Sequence, residues 1–370
     1  MSTIPAEVSA LVATAQRNCD LADAHHAQSM SLCAYLLDMR GYYRWQQGLP
    51  LDAVLERPPL SAWIASREAH WDELRELPAV DYQPLGCGDS DDPFDEAACN
   101  AALAEHGLVY GSGIGSFGRP VFFLAERGRV ERRDGLEILV AGRELARGLT
   151  APPAVSRDGR VLIRLDAMER WLWAKLEEWR HHPHAGGFAA SWAAYSAGGA
   201  EPGQVSAGGD DPLAIVRRMA SGEVETLVLH EIGEQRIAAD LGDDWDDMLD
   251  DLSGQAGRRR AEVFARAGRD LFADCDCSLP ALLERGATAS IHFWFGNLDG
   301  MRRLLAPALH EAYLAWCDGD SGALPAAVAA GRSHWRQACR SLLAAWRDGG
   351  AAAVESAAVA ACSHGSGRSP

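Results

Sequence analysis

Histidine and carboxylate side chains occur in this sequence at spacings that place them on one side of a helix. Within Leu229–Glu234, His230 and Glu234 are four residues apart, so a helix presents them one turn from each other. The residues that share this side are otherwise apolar: Leu227, Ile237 and Leu241. Because an unpaired buried carboxylate is costly, the pattern predicts a partner for both polar side chains, and a metal ion is one candidate.

The same segment, L-H-E-I-G-E, resembles the H-E-x-x-H box of the zincin metalloenzymes. Glu231 takes the position of the zincin glutamate, whereas Glu234 stands where the second histidine ligand is expected. This departure at a ligand position argues against a standard zincin. We keep Glu231 as a candidate metal ligand or as a neighbour of the ligands.

A second pair of this kind lies near the N-terminus. A long helix is predicted over Asp20–Gln47, and one of its stripes is apolar apart from Asp23 and His26. Asp23-x-x-His26 is a shortened relative of the Glu-x-x-His arrangement by which helix bundles hold two-metal carboxylate centres. The stripe consists of Cys19, Asp23, His26, Met30, Cys33 and Leu37.

A third predicted helix carries His310 beside Glu311. Imidazole together with carboxylate suits iron, manganese or zinc, and we expect a divalent iron or manganese ion ahead of zinc. The candidate metal ligands or neighbours are therefore Asp23, His26, His230, Glu231, Glu234 and His310. The alternative is that each histidine is a core residue hydrogen-bonded to a buried acid, a common arrangement in proteins.

Two other motifs are interpreted as structural. Gly113–Gly118 matches the G-x-G-x-x-G dinucleotide fingerprint, which requires a following helix, but the apolar run Val121–Leu124 predicts another strand. We therefore expect no nucleotide cofactor. The acidic run Asp243–Asp251 lacks the spacing and central glycine of a calcium-binding EF-hand loop, so we interpret it as a solvated face.

The acidic composition limits the classes of partner. Thirty-five basic and fifty-two acidic side chains give a net charge of −17, which repels the phosphates of nucleic acids and anionic membranes. We expect a small neutral or cationic ligand or a basic protein partner, with no nucleic acid and no membrane. Neither a membrane-spanning stretch nor a signal peptide is visible, so a cytoplasmic location is predicted. Nothing in the sequence indicates an oligomeric state.

The elements that must position these side chains form a mainly α-helical chain with a small antiparallel β meander inserted, an α+β fold. Short strands punctuated by glycine indicate the meander, with a hairpin turn predicted at Glu126–Gly128. We expect the C-terminal part to be a multi-helix, bundle-like region. The predicted regions are an N-terminal helical region at 1–105, the meander at 106–150, a connecting helix at 151–182, a Gly/Pro-rich linker or mobile loop at 183–212, the C-terminal helical region at 213–348 and a disordered tail at 349–370.

The segment Leu32–Trp45 carries a longer sequence signature. It reads L-C-A-Y-L-L-D-M-R-G-Y-Y-R-W and resembles the box L-C-x-Y-L-L-x-M-R-x-Y-Y-R-W of a family of uncharacterised bacterial proteins. That family has no established activity, so the resemblance implies membership and a role for the N-terminal helix. The sequence pattern of that family, which extends before Leu32, usually has other residue types at the positions of His25, Asp38 and Gly41. Physically, Tyr42–Trp45 are suited to packing or to lining a pocket.

Two functional hypotheses remain open. The first is a metal-dependent, helix-rich enzyme whose ion activates water or dioxygen. The second is a non-enzymatic acidic interaction protein, in which the buried His–acid pairs are structural. A dinucleotide-dependent enzyme ranks third. The hypotheses differ in whether the candidate histidines and carboxylates converge within the reach of one metal ion.

Overall fold

The chain is mainly helical with one five-stranded sheet, which confirms the predicted α+β class. The computed structural model describes residues 6–27, 30–87, 90–115, 118–157, 159–183, 186–196, 210–254 and 258–365. It divides into two compact units. The N-terminal unit comprises Met1–Arg133, Glu137–Val155 and Leu162–His181, and the C-terminal unit comprises Asp134–Leu136, Ser156–Val161 and His182–Pro370. None of the helices in the described part combines the length and apolar character needed to cross a membrane.

The first helices of the N-terminal unit differ from the prediction of one long helix over Asp20–Gln47. The structure has two helices there, because Ser31 begins a new one: its backbone is extended and its Oγ accepts the Ala34 N–H at 3.3 Å. The polar and apolar stripe predicted from Cys19 to Leu37 is therefore interrupted. The helices of this unit are α1 (Ala6–His26), α2 (Leu32–Gln46), α3 (Arg57–Arg75), α4 (Glu96–Leu103) and α5 (Leu165–His181).

The strands form one sheet in the order β1-β2-β3-β5-β4. Strand β1 pairs antiparallel with β2, with Leu108 opposite Glu126 and Ile114 opposite Pro120. The strand predicted after Gly113–Gly118 is confirmed by β2. The strands are β1 (Leu108–Ile114), β2 (Pro120–Arg133), β3 (Leu136–Arg147), β4 (Ala154–Arg157) and β5 (Arg160–Arg164).

Two details of the sheet differ from the expectation. The predicted hairpin turn at Glu126–Gly128 lies inside β2, and the chain reverses instead at Asp134 and Gly135, whose φ angles are 53° and 82°. An Asp-Gly pair suits such positive φ values, which glycine adopts without strain. The sheet also continues to Arg164, beyond the predicted boundary at 150, because the apolar run before that residue forms a short buried strand.

The core of the N-terminal unit joins α1 to the sheet. Cys19 and Leu21 of α1 are buried together with Tyr110 and Phe122 of β1 and β2. A second cluster under α2 and α3 contains Tyr42, which is fully buried. The Tyr42–Trp45 segment therefore packs in the core through its first tyrosine.

Apart from short segments of the sheet, the C-terminal unit is a set of helices, as the sequence predicts. Helix α10 packs against α8 and α15, and α6 packs against α12. A π-helical turn at Asp274–Ser278 connects α10 to α11. The helices are α6 (Gly187–Tyr195), α7 (Pro212–Gly222), α8 (Val224–Leu241), α9 (Asp244–Ser253), α10 (Arg259–Ala273), α11 (Leu279–Glu284), α12 (Thr288–Gly296), α13 (Gly300–Leu305), α14 (Pro307–Cys317) and α15 (Ala323–Gly365).

Two predicted flexible regions are partly helical. Helix α6 occupies part of the predicted linker at 183–212, of which residues 197–209 lie outside the described part of the chain. The predicted disordered tail from 349 continues α15 after a kink at Gly349 and Gly350. This last part of α15 is packed against the protein through small apolar residues that recur at helical spacing and are buried: Ala351, Val354 and Ala358.

Candidate metal centre

Three side chains from two helices of the C-terminal unit converge within the reach of one metal ion. Among the described residues, His230, Glu234 and Asp270 each offer a ligand atom, and these atoms lie within 4.8 Å of one another. His230 Nε2 and Glu234 Oε1 are 3.4 Å apart. Atoms that bind one ion at about 2.0–2.2 Å lie roughly 3 to 4.4 Å from each other, so this spacing suits a ligand set.

Helix α8 supplies two of these ligands at the edge of its buried face. His230 and Glu234 lie one turn apart, and their side chains are 24% and 18% exposed. Around them Val228, Ile232 and Ile237 are buried in the core. Since apolar residues hold the helix in place, the two polar side chains keep a fixed position while ions from solvent can still reach them.

Gly233 allows α8 to approach the end of α10 closely. A Cβ atom at this position would lie 2.9 Å from the backbone oxygen of Ala273 and 3.1 Å from Cβ of Cys277. A larger residue would therefore push the two helices apart. Because the close contact is next to Glu234, it brings Asp270 of α10 beside the two ligands from α8.

The π-helical turn Asp274–Ser278 is fastened to the neighbouring α15. Cys275 Sγ would lie only 2.8 Å from a Cβ atom built on Gly331, so the two segments pack closely. Asp276 forms an ion pair with Arg332. π-Helical turns inside α-helices occur frequently at functional sites. Here the turn leaves Asp274, its first residue, beside His230.

Asp274 is fully buried and orients the imidazole of His230. Its Oδ1 lies 2.8 Å from His230 Nδ1 and accepts the Ser278 hydroxyl at 3.0 Å, while its Oδ2 lies 3.5 Å from Arg302 Nη1. Because an ionised carboxylate only accepts hydrogen bonds, Nδ1 carries the hydrogen and Nε2 is directed to the other ligands. A carboxylate behind the histidine is the usual support for a metal-binding imidazole.

The charges around His230 shift two pKa values in opposite directions. Burial alone would lower the pKa of His230, but Asp274 and Glu234 raise it well above its ordinary value. Burial alone would raise the pKa of Glu234, but Arg269, whose Nη2 lies 2.9 Å from Oε1, and His230 hold it well below the ordinary range. Without a metal, His230 therefore holds a proton on Nε2, the atom that would bind the ion.

Two further carboxyl groups titrate near neutrality. Burial, reinforced by the charge of Glu234, raises the pKa of Asp270 to about 7. The same two causes raise the pKa of Glu231 to about 7. Both groups therefore exchange protons at neutral pH, and a cation nearby would favour their ionised forms.

The group of charges around His230, which we call the His230 cluster, has an excess of acid. It contains four carboxyls, Glu231, Glu234, Asp270 and Asp274, and two guanidiniums, Arg269 and Arg302. With a neutral imidazole and all acids ionised, the excess is two negative charges. A divalent cation would balance this excess, whereas the metal-free cluster is balanced by protons.

Asp23 and His26, the candidates on α1, lie in the N-terminal unit and have other partners. Asp23 is 1% exposed, its Oδ1 accepts from Arg119 Nη2 at 2.6 Å and its Oδ2 accepts the Leu149 N–H at 2.7 Å. Burial raises the pKa of Asp23 to about 6, although Arg119 acts against the shift. Burial and the Arg119 charge lower the pKa of His26. The partner predicted for Asp23 is thus an arginine and a backbone amide.

His310 of α14 lies in an aromatic environment. Its Nε2 is 3.2 Å from Arg303 Nη2, and its ring centroid is 6.3 Å from that of Tyr313. Burial and the Arg303 charge lower the pKa of His310. Of the six predicted site residues, the structure therefore brings together three, namely His230, Glu231 and Glu234, and shows different contacts for the rest.

Sequence reasoning missed Asp270 and Asp274. They are four residues apart, which is the same helical signal that singled out His230 and Glu234. Their neighbours Leu271 and Phe272 are fully buried, so the segment faces the core. A search for every pair of polar residues at this spacing beside apolar helix residues would have found them.

Comparison with known proteins identifies two domains that meet near the beginning of α5. Residues 10–164 match the N-terminal domain of a family of unknown function, DUF6866, and residues 169–364 match the C-terminal domain of the same family. No curated protein and no solved structure matches the chain. All members of the His230 cluster fall within the match to the C-terminal domain.

Proposed function

The chain belongs to the DUF6866 family, and we propose that it is a metal-dependent, helix-rich enzyme whose ion is bound by His230, Glu234 and Asp270. The convergence of these three ligand atoms, with Asp274 behind the imidazole, carries the proposal. One imidazole and two carboxylates suit manganese or iron in the divalent state, and zinc ranks behind them.

Three protein ligands leave coordination positions open. Sites of this kind bind water or substrate at the free positions, whereas structural metal sites are closed by four protein ligands. The partial exposure of His230 and Glu234 gives such molecules access. When bound, the ion would lower the pKa of a bound water or bind dioxygen.

Glu231 is the candidate proton acceptor of the site. It is 7% exposed, it hydrogen-bonds to Ser156, and its pKa is raised to about 7 by burial and by Glu234. A carboxyl group with a pKa near the working pH can take up a proton during the reaction and release it afterwards. Ser156 holds this carboxyl in place beside the ligands.

The alternative function, a non-enzymatic interaction protein, is favoured by one observation. The two acids that contact His230 already have arginine partners, Arg269 for Glu234 and Arg302 for Asp274. In that case the His230 cluster is an ion-pair network that holds α8 against α10, and removal of one member destabilises the fold without any loss of metal.

Titration of the chelator-treated chain with Mn²⁺ distinguishes the two functions. We expect calorimetry to detect one ion per chain, and Glu234→Gln and Asp270→Asn to abolish this binding while the variants remain folded. Asp240→Asn is the matched control, because Asp240 lies on the same helix as Glu234 but pairs with Arg340. If the wild-type chain binds no Mn²⁺ and the two variants only unfold more easily, the ion-pair network is the correct interpretation.

The open coordination positions are tested separately by the relaxation of water protons. Protein-bound Mn²⁺ with free positions exchanges water and increases the relaxation rate of the solvent protons. We expect this enhancement for the wild-type chain. Bound Mn²⁺ without enhancement would show a closed, structural ion and would overturn the enzymatic part of the proposal.

A further inference from the structure

The N-terminal unit contains a cavity whose wall includes the guanidinium groups of two arginines. The cavity has a volume of about 530 Å³, within the usual range of small-molecule sites. Its wall combines guanidinium, amide, carboxyl and apolar groups. The lining residues used below are Gln16, Trp45, Leu49, Arg143, Glu144, Asp166 and Arg170.

Arg170 presents unused hydrogen-bond donors in this wall. Its side chain is 16% exposed and contacts Asp166, with 3.1 Å between Nε and Oδ1. Nevertheless, Nη1 of Arg170 is buried and has no hydrogen-bond partner in the described structure, whereas Nε faces Asp166. Buried guanidinium donors without an acceptor are costly, so an oxygen-rich ligand at this position would be stabilised.

Behind the wall lie two more arginines. Arg164 is fully buried and its Nε donates to Glu144 Oε1 at 2.7 Å, while Arg147 Nη1 lies 3.4 Å from Glu144 Oε2. The Glu144 carboxylate is therefore shared by two guanidinium groups. The backbone of Arg147 is bonded to Gln16 of the cavity wall, which donates to its carbonyl oxygen at 3.1 Å.

The charges around the cavity do not balance. Three guanidiniums, those of Arg147, Arg164 and Arg170, are bonded to only two carboxylates, Glu144 and Asp166. Burial lowers the pKa of Arg170, Asp166 acts against this shift, and the charge of Arg147 adds to it. The arginines therefore repel one another, and an anion in the cavity would relieve that repulsion.

We propose that this cavity binds a small organic anion whose carboxylate or phosphate group is held by Arg170. The planar guanidinium offers two parallel N–H donors, the geometry that both groups accept. Trp45 and Leu49 provide an apolar surface for the rest of the ligand, and Arg143 lies at the wall in an ion pair with Glu126, so it leaves the excess of one guanidinium unchanged. This site is independent of the metal-dependent function proposed above.

Calorimetric titration of the whole chain with succinate and, separately, with inorganic phosphate tests the site. We expect saturable binding of at least one probe, and the preferred probe shows whether the natural ligand carries a carboxylate or a phosphate. Arg170→Gln should weaken binding by about tenfold or more, as expected for the loss of charged hydrogen bonds. Arg180→Gln is the matched control, because Arg180 lies on the same helix but is exposed and stacks on Trp173.

A second variant guards against an effect of Arg170→Gln on folding. Leu49→Trp leaves every charge in place and fills part of the cavity, so it should also weaken binding while its unfolding temperature stays close to that of the wild type. Absence of binding of both probes to the wild-type chain would overturn the proposal. Binding that survives both Arg170→Gln and Leu49→Trp unchanged would also overturn it, since the anion would then lie elsewhere.

Discussion

His230 is the side chain on which the metal centre depends, because it contacts acids from two directions. Its Nε2 faces Glu234 on its own helix at 3.4 Å, and its Nδ1 faces Asp274 of the π-helical turn at 2.8 Å. The two acids have different roles. Glu234 is partly exposed and offers oxygens to an ion, whereas Asp274 is fully buried and holds the ring in one orientation.

The role of Asp274 as a support rather than a ligand is tested by Asp274→Asn. The amide keeps the size of the side chain but removes the charge that holds the Nδ1 hydrogen. We expect Mn²⁺ affinity to fall by about 10- to 100-fold, the range for the loss of such outer partners. Mn²⁺ titration by calorimetry measures the effect, with Asp240→Asn, whose aspartate pairs with Arg340, as the control that retains wild-type affinity. Equal affinities for both variants would show that Asp274 does not act through His230.

Asp23 gives a separate prediction about stability and pH. Its pKa is raised from 3.8 to about 6 in the folded chain, so the folded state binds this proton more tightly than the unfolded state. The proton on Asp23 therefore stabilises the folded state fully below about pH 4, and this stabilisation is lost as the pH rises through about 6. Each pKa unit corresponds to about 1.36 kcal/mol. Between about pH 4 and a pH above 6, the free energy of unfolding of Asp23→Asn should therefore rise by about 3 kcal/mol relative to that of the wild type.

Urea unfolding at a series of pH values measures this difference. Asp72→Asn is the control, because Asp72 is largely exposed in its ion pair with Arg75 and its variant should follow the wild-type profile. A difference between Asp23→Asn and wild type that does not change with pH would show that Arg119 keeps Asp23 charged throughout.

At the scale of elements, the metal centre exists because α8 and α10 approach each other at Gly233. A Cβ atom there would contact the backbone oxygen of Ala273, which cannot move without displacing α10. We expect Gly233→Ala to destabilise the fold by about 1–3 kcal/mol, the usual cost of overpacking, and to weaken Mn²⁺ binding because the ligands separate. Thermal unfolding and Mn²⁺ titration of the same variant measure both effects.

The control for this variant is Gly41→Ala in α2. No atom lies within 4 Å of the Cβ position at Gly41, so the alanine should stabilise the helix slightly, by about 0.5–1 kcal/mol. A Gly233→Ala variant as stable as the wild type would show that α8 and α10 tolerate a wider separation than the structure indicates.

The elements also show how far the sequence could predict the structure. The helical spacing of His230 and Glu234 needs only local information, and their pairing on α8 follows from it. The convergence with Asp270 could not be predicted, because it depends on how α10 packs against α8, which helical spacing within one element does not determine. The break at Ser31 was missed for another reason: the apolar pattern continues across it, although the serine begins a new helix.

For the whole molecule, the net charge and the local charges lead to different expectations. The charge of −17 predicts neutral or cationic partners for the surface as a whole. Two arginines nevertheless line the cavity of the N-terminal unit, and Arg147 and Arg164 lie behind its wall, so a ligand there responds to those near charges more than to distant ones. Each unit thus carries a candidate site of its own, an anion site in the first and a cation site in the second.

The central claim is that the C-terminal unit binds a divalent ion, and anomalous X-ray scattering from crystals soaked in Mn²⁺ tests it most directly. We expect an anomalous peak at about 2.0–2.2 Å from His230 Nε2 and from one oxygen each of Glu234 and Asp270. Crystals of Glu234→Gln should lack this peak. Full Mn²⁺ soaking without a peak between these side chains, with Arg269 still bound to Glu234, would contradict the account.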